Sequence, residues 1–136
     1  MSFLQWRKHE RLFVPADYTA NETKAIMNVH TGEVVGLIIA RQITAYNGSG
    51  TDAILELGYG DNIDEFMDAG EIDETTGGST GSLVRAAGAA DGTYDTNRTF
   101  LFTADDTIDV TFTANTAGTR NAGATRFTIY TARTEA

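Results

Sequence analysis

The sequence has no cysteine, one proline (Pro15), two lysines (Lys8 and Lys24) and two histidines (His9 and His30) in 136 residues. Without cysteine there is no disulfide scaffold, no thiolate zinc site and no cysteine nucleophile. Lysine and leucine are scarce, and with them the usual material of surface helices. The longest apolar run, residues 34–40, is seven residues long and contains Gly36. A membrane-spanning helix needs about 20. No apolar stretch follows the early Arg7, Lys8 and Arg11, so no targeting segment is read at the start, and a soluble chain made in a cytoplasm-like compartment is expected. Asn47-Gly-Ser and Asn97-Arg-Thr are read as chance sequons. Positive charge is also short, with 10 bases against 19 acids and a net charge of −9. Phosphate backbones repel such a chain, so no nucleic-acid partner is expected. Neither phosphate-cradling pattern, G-x-x-x-x-G-K-[ST] or G-x-G-x-x-G, occurs.

What is abundant is threonine (21), alanine (18) and glycine (14). Threonine favours pleated, half-buried surfaces and glycine marks turns and bulges, which points to an all-β fold. The length predicts one domain that buries a core without staples.

Period-two patterning carries the chain reading. In 106–114, Ile108, Val110, Phe112 and Ala114 fall on one face, with Thr107, Asp109, Thr111 and Thr113 on the other, as in a strand with one wet side. Residues 124–132 place Phe127 and Ile129 opposite Arg126, Thr128 and Tyr130. The intervening NTAGTRNAG supplies turn residues, so 106–132 reads as a hairpin with a long tip. Phe100 and Phe102 point inward, as do Leu55, Leu57 and Tyr59. Residues 24–30 form a shorter strand. In 34–46, Val35, Leu37, Ile39 and Ile43 share a face that Arg41 interrupts, and a bulge near Arg41 would resolve the conflict. Asn62 with Glu65 three residues later makes a capping box, and Gly70 suits a C-terminal cap, so a two-turn helix is predicted over 63–69. Residues 75–90 read as a loop or weak edge strand. No internal repeat is seen. The sum is a β-sandwich, jelly-roll-like, with one short helix.

Residues 1–23 stand apart. Phe3, Leu4, Trp6, Leu12, Phe13 and Tyr18 alternate with Arg7, Lys8, His9 and Arg11, giving residues 1–11 a charge of +2. This reads as an N-terminal arm (1–23) attached to a sandwich domain (24–136). Aromatic and arginine side chains anchor interfaces. Phe3, Leu4, Trp6, Arg7, Lys8, Arg11 and Phe13 are therefore the candidate partner-binding residues, while Leu12, Phe13 and Tyr18 could equally complete the domain's own core.

Chemistry is thinner. Gly77-Gly78-Ser79-Thr80-Gly81 matches a nucleophile-elbow string, but both histidines lie upstream of it, which that hydrolase order does not allow. Asp52, Glu56, Asp61, Asp64, Glu65, Asp68, Glu71, Asp73 and Glu74 form an acidic band with no Lys or Arg between 42 and 84. It could bind Ca²⁺ or a basic partner, but the EF-hand order is absent. His30 reads as a structural histidine within a strand. No catalytic residue, metal or cofactor is assigned, and no enzyme activity is expected. An aromatic platform for carbohydrate would need Trp6 and the tyrosines at 18, 46, 59, 94 and 130 to gather in one groove.

Two stretches carry a resemblance. ITAYNGSGTDAILELGYGDNIDEFMDAGEID and TFLFTADDTIDVTFTANTAGTRNAGATRFTIYTAR resemble small virion proteins of tailed bacteriophages, often associated with the capsid. The resemblance covers about residues 37–133. It implies a β-sandwich that decorates or cements the outer capsid surface. It further implies contact with the major capsid protein and an oligomer, a trimer by analogy, at symmetry axes. The arm lies outside it, and no site residue is carried over from it.

Overall fold

The computed structural model describes residues 5–69, 74, 82–84 (as backbone) and 99–133. Among the described residues nine strands run in the order β1 (Arg7–Phe13), β2 (Glu22–Val29), β3 (Glu33–Thr44), β4 (Ile54–Tyr59), β5 (Asn62–Met67), β6 (Ser82–Val84), β7 (Phe100–Leu101), β8 (Asp106–Thr113) and β9 (Ala124–Arg133). They form two antiparallel sheets that pack as a β-sandwich. One has the order β1-β9-β3-β6, with β7 also on β3, and the other is β2-β8-β4-β5. Only β4 and β5 are at once consecutive and hydrogen-bonded along a four-strand path; β1 to β2, β2 to β3 and β3 to β4 each cross between sheets. No helix among the described residues is long and apolar enough to cross a membrane.

The core follows from the alternation. Ile108, Val110 and Phe112 of β8, Leu55 and Leu57 of β4, and Phe127 and Ile129 of β9 are all buried between the sheets, as their spacing predicts. Each such side chain contributes roughly 1.5–3 kcal/mol by leaving water. Phe66, Phe100, Phe102 and Tyr59 cluster with ring centroids 4.9–6.3 Å apart.

Four expectations change. First, residues 62–67 are a strand. The capping-box pair does meet, with Asn62 Nδ2 donating to Glu65 Oε2 at 2.7 Å. The backbone, however, pairs with β4 through Tyr59↔Asn62 and Leu57↔Met67. Gly60, at φ 50°, opens a two-residue loop with Asp61, and that loop fixes a hairpin. Second, β8 and β9 do not form a hairpin. β8 pairs with β2 and β4, and β9 with β1 and β3, so the NTAGTRNAG segment carries the chain from one sheet to the other. Each strand buries one face, and placing them in opposite sheets turns both faces to the same core.

Third, β3 slips first between Val35 and Ile38, which the spacing does not predict, and again between Gln42 and Thr44, near Arg41 as expected. The first slip inverts the parity. Ile38, Ala40 and Gln42 are buried, while Ile39, Arg41 and Ile43 turn outward. Arg41 thus interrupts nothing. Fourth, residues 7–13, read as part of the arm, are the edge strand β1, paired with β9 from Arg7↔Thr131 to Phe13↔Thr125. Phe13 is fully buried and its ring lies 6.1 Å from that of Phe112.

Candidate functional site

Strand alternation sorts the candidate interface residues onto two sides of β1. Arg7, His9, Arg11 and Phe13 face the other sheet. Arg11 donates through Nε to the Ile26 carbonyl at 3.0 Å and through Nη1 to the Glu10 carbonyl at 2.9 Å. His9 Nε2 is hydrogen-bonded to the Thr131 hydroxyl at 2.8 Å. Trp6, Lys8, Glu10 and Leu12 turn outward. Phe3 and Leu4 lie outside the described residues.

The outward side continues across the sheet. Leu12 stands opposite Arg126, which stands opposite Arg41, and the next row holds Glu10, Thr128 and Ile39. Trp6 lies against Gly36, where a Cβ would collide with its ring. Trp6 is 45%, Leu12 56% and Ile43 38% exposed, and Leu101 at the far side is 49% exposed. Two arginines directly opposite on neighbouring strands repel each other. No described residue pairs with either of them. Lys8 reaches Glu10 only at 3.7 Å, between exposed side chains, which is worth little. This face is therefore apolar and cationic on a molecule of charge −9. Arg41, Arg126 and Ile43 were not among the candidates, because register and the β3 slip bring them to Leu12, already weighed between interface and core, and neither is local in sequence.

The outer face of the four-stranded sheet has the opposite character. The carboxylates of Glu56, Asp64 and Asp68 lie within 4.8 Å of one another. Burial, and then Asp68 and Asp64, push the Glu56 carboxyl above its ordinary range. The rest of the acidic band disperses. Glu65 is held by Asn62, and Glu74 is buried, accepting the Leu55 amide at 2.9 Å. Glu71, Asp73 and the Gly77–Gly81 string lie outside the described residues. Three carboxylates on an open sheet face do not by themselves make a metal site or an acid–base pair in a cleft.

The aromatic rings scatter. Tyr46 is buried, its hydroxyl held un-ionised by that burial. Tyr18 donates its hydroxyl to the Gly123 carbonyl, Tyr59 sits in the phenylalanine cluster, and Tyr94 lies outside the described residues. Tyr130, opposite Lys8, shares the outer face of the five-stranded sheet with Trp6, and Tyr18, Tyr46 and Tyr59 do not join them.

The two ends of the sandwich also differ. At one end the stretches that carry the sequence resemblance are clamped together. Asn47 Oδ1 accepts the amides of Asn121 and Ala122, its Nδ2 donates to Asn121 Oδ1, and Ser49 pairs with Ala117. At the other end is a cleft of about 360 Å³ lined by Arg7, His9, Asn28, His30, Glu33 and Arg133, among others. Its floor is Glu33, a buried carboxylate. Glu33 Oε1 accepts the His30 amide at 3.0 Å and lies 3.8 Å from Arg133 Nη2. His30 lies just past β2, with Nδ1 3.9 Å from Asp105.

No family model matches the chain, and no curated protein matches it in sequence. Solved structures do. A chain in the capsid asymmetric unit of cyanophage Pam1 superposes with a TM-score of 0.64 at 14% identity, covering 96% of this chain and 85% of that one. A chain in the acid-stable capsid structure of Helicobacter pylori bacteriophage KHP30 does so with a TM-score of 0.59 at 9% identity, covering 93% and 86%. Both neighbours come from phage capsids, and at these identities what the chain shares with them is the β-sandwich fold.

Proposed function

We propose that this chain is a structural virion protein that decorates and cements the outer surface of a tailed-phage capsid, stabilising the shell by contact with the major capsid protein. The observation that carries the reading is the outer face of the five-stranded sheet. Trp6, Leu12, Ile43 and Leu101 are exposed there, beside two arginines that no described residue pairs. Such a face fits an apolar, acidic-rimmed partner surface. The net charge of −9 keeps the free protein soluble before assembly.

Several features support this reading. The capsid origin of both solved neighbours is one. The strand order is another: with two-residue β7 set aside, 1-9-3-6 over 2-8-4-5 is the order of two interleaved Greek keys, the jelly roll used by viral capsid and lectin domains. Trp6 and Lys8 contribute to the docking face, and Phe3 and Leu4, outside the described residues, are proposed as partner contacts with them. Arg7 and Arg11 act at the sandwich edge and Phe13 within the core. Assembly as a homo-oligomer, a trimer at a symmetry axis, belongs to the same proposal. No catalytic step is assigned.

The test is the copy number of this chain per purified particle, by quantitative mass spectrometry against the major capsid protein. Hundreds of copies in a simple ratio support decoration. A handful places the chain on the tail or vertex, and absence from particles overturns the proposal. Leu12→Glu, an exposed substitution, should leave the domain folded and abolish its co-sedimentation with particles that lack it.

A further inference from the structure

We propose that the cleft at the β1–β2 end of the sandwich binds carboxylate groups, either of a small polycarboxylate or of a peptide's C-terminus. The site is independent of the capsid-docking face, which lies on the other side of β1.

Three observations carry it. The first is convergence. Both histidines of the chain and two arginines, from the start of β1, the end of β2 and the end of β9, line one cleft of about 360 Å³ on a molecule of net charge −9. That volume is in the range of small-ligand pockets.

The second is unused capacity. Among the described residues no carboxylate or carbonyl pairs with Arg7, whose planar fork suits a carboxylate. His9 spends Nε2 on Thr131 and has Nδ1 to offer. Asn28, exposed on the rim, adds an amide. The third is an internal stand-in. The cleft already holds one carboxylate, that of Glu33, against the His30 amide and near Arg133. The walls are thus chemically suited to the group, and Glu33 competes with any ligand.

The sign of the pH dependence follows. His9 is faced by Arg7 and Arg11 of its own strand, by Glu33 of β3 and by the neutral Thr131 of β9. Burial first, and then the arginines, hold it below its ordinary pKa. His30 faces Asp105, with Glu33 on the cleft floor and the exposed Arg133 beside it. A bound carboxylate favours the protonated form of His9, so binding takes up a proton and strengthens as pH falls through the lowered His9 range.

The experiment is a titration of the full chain with citrate at low ionic strength, followed through the histidine ring resonances. A parallel arm uses an acidic peptide with a free C-terminus and its C-terminal amide. Saturable shifts of both rings are expected. Arg7→Gln should weaken binding about tenfold, Glu33→Gln, which keeps an acceptor for the His30 amide, should strengthen it, and Lys8→Gln on the outward side of β1 should leave it unchanged. Citrate binding alone supports the site as one for small carboxylates. Peptide binding lost on amidation supports it as one for chain ends. No saturation by either probe, or equal losses in Arg7→Gln and Lys8→Gln, overturns the proposal.

Discussion

Single side chains decide more here than the composition suggests. Gly58 sits in β4 where the returning β5 backbone crosses it. A Cβ would collide with the Asn62 carbonyl and the Ile63 backbone, neither of which can yield as a side-chain tip could. Gly58→Ala is expected to destabilise the fold by about 1–3 kcal/mol, as overpacking does, read from the urea midpoint. Arg126 is the reverse case. It opposes Arg41 across the β3–β9 ladder, so Arg126→Thr removes a repulsion. It should raise Tm slightly while weakening attachment to particles.

Glu56 gives a pH signature. Its carboxyl titrates above the unfolded value because burial, Asp68 and Asp64 disfavour its charge. Between the unfolded and native pKa values the native state holds a proton that the unfolded chain has released, so the cost is absent below the unfolded pKa, grows between the two and is full above the native one. Glu56→Gln should thus raise Tm at pH 7 and leave it unchanged near pH 4, checked by calorimetry at both.

Among the elements, the legible ones were those with a strict period and one wet face. β4, β8 and β9 were readable because Leu55, Leu57, Ile108, Val110, Phe112, Phe127 and Ile129 each occupy alternate positions without a slip. β3 was not, because the skip at residues 36–37 turns Ile38 and Ala40 inward where uninterrupted alternation puts Leu37 and Ile39. β5 offered two signals. The Asn62–Glu65 pair was read as a helix cap, whereas Gly60-Asp61 is a two-residue hairpin loop, and pairing with β4 prevailed. The cleft was illegible altogether. Residues 7–9, 28–33 and 131–133 meet only because β1 and β3 flank β9, and partner choice between distant strands leaves no local mark. The clamp at the opposite end is an element-scale prediction. Asn47→Ala removes hydrogen bonds that tie the β3–β4 connection to the β8–β9 connection. It should cost about 1–3 kcal/mol and speed amide exchange in both connections together.

At the scale of the whole molecule the notable property is polarity of charge between two flat faces. Arg41 and Arg126, which no described residue pairs, lie on the outer face of one sheet, and the mutually repelling Glu56, Asp64 and Asp68 on the other. Attachment through the first face should weaken steeply as salt rises from about 0.05 to 0.5 M, since exposed charges are screened within a Debye length. A salt-insensitive attachment would instead assign the energy to Trp6, Leu12 and their apolar neighbours.

The pairing of β1 with β9 also has a mechanical side. The ladder runs from Arg7↔Thr131 to Phe13↔Thr125, and Trp6 lies immediately before its first pair. A load that lifts Trp6 away from the sheet falls on the Arg7 pair first and opens the strand one pair after another, like a zipper. A load directed along β1 is shared by all seven pairs at once. The same edge therefore yields to peeling and resists sliding.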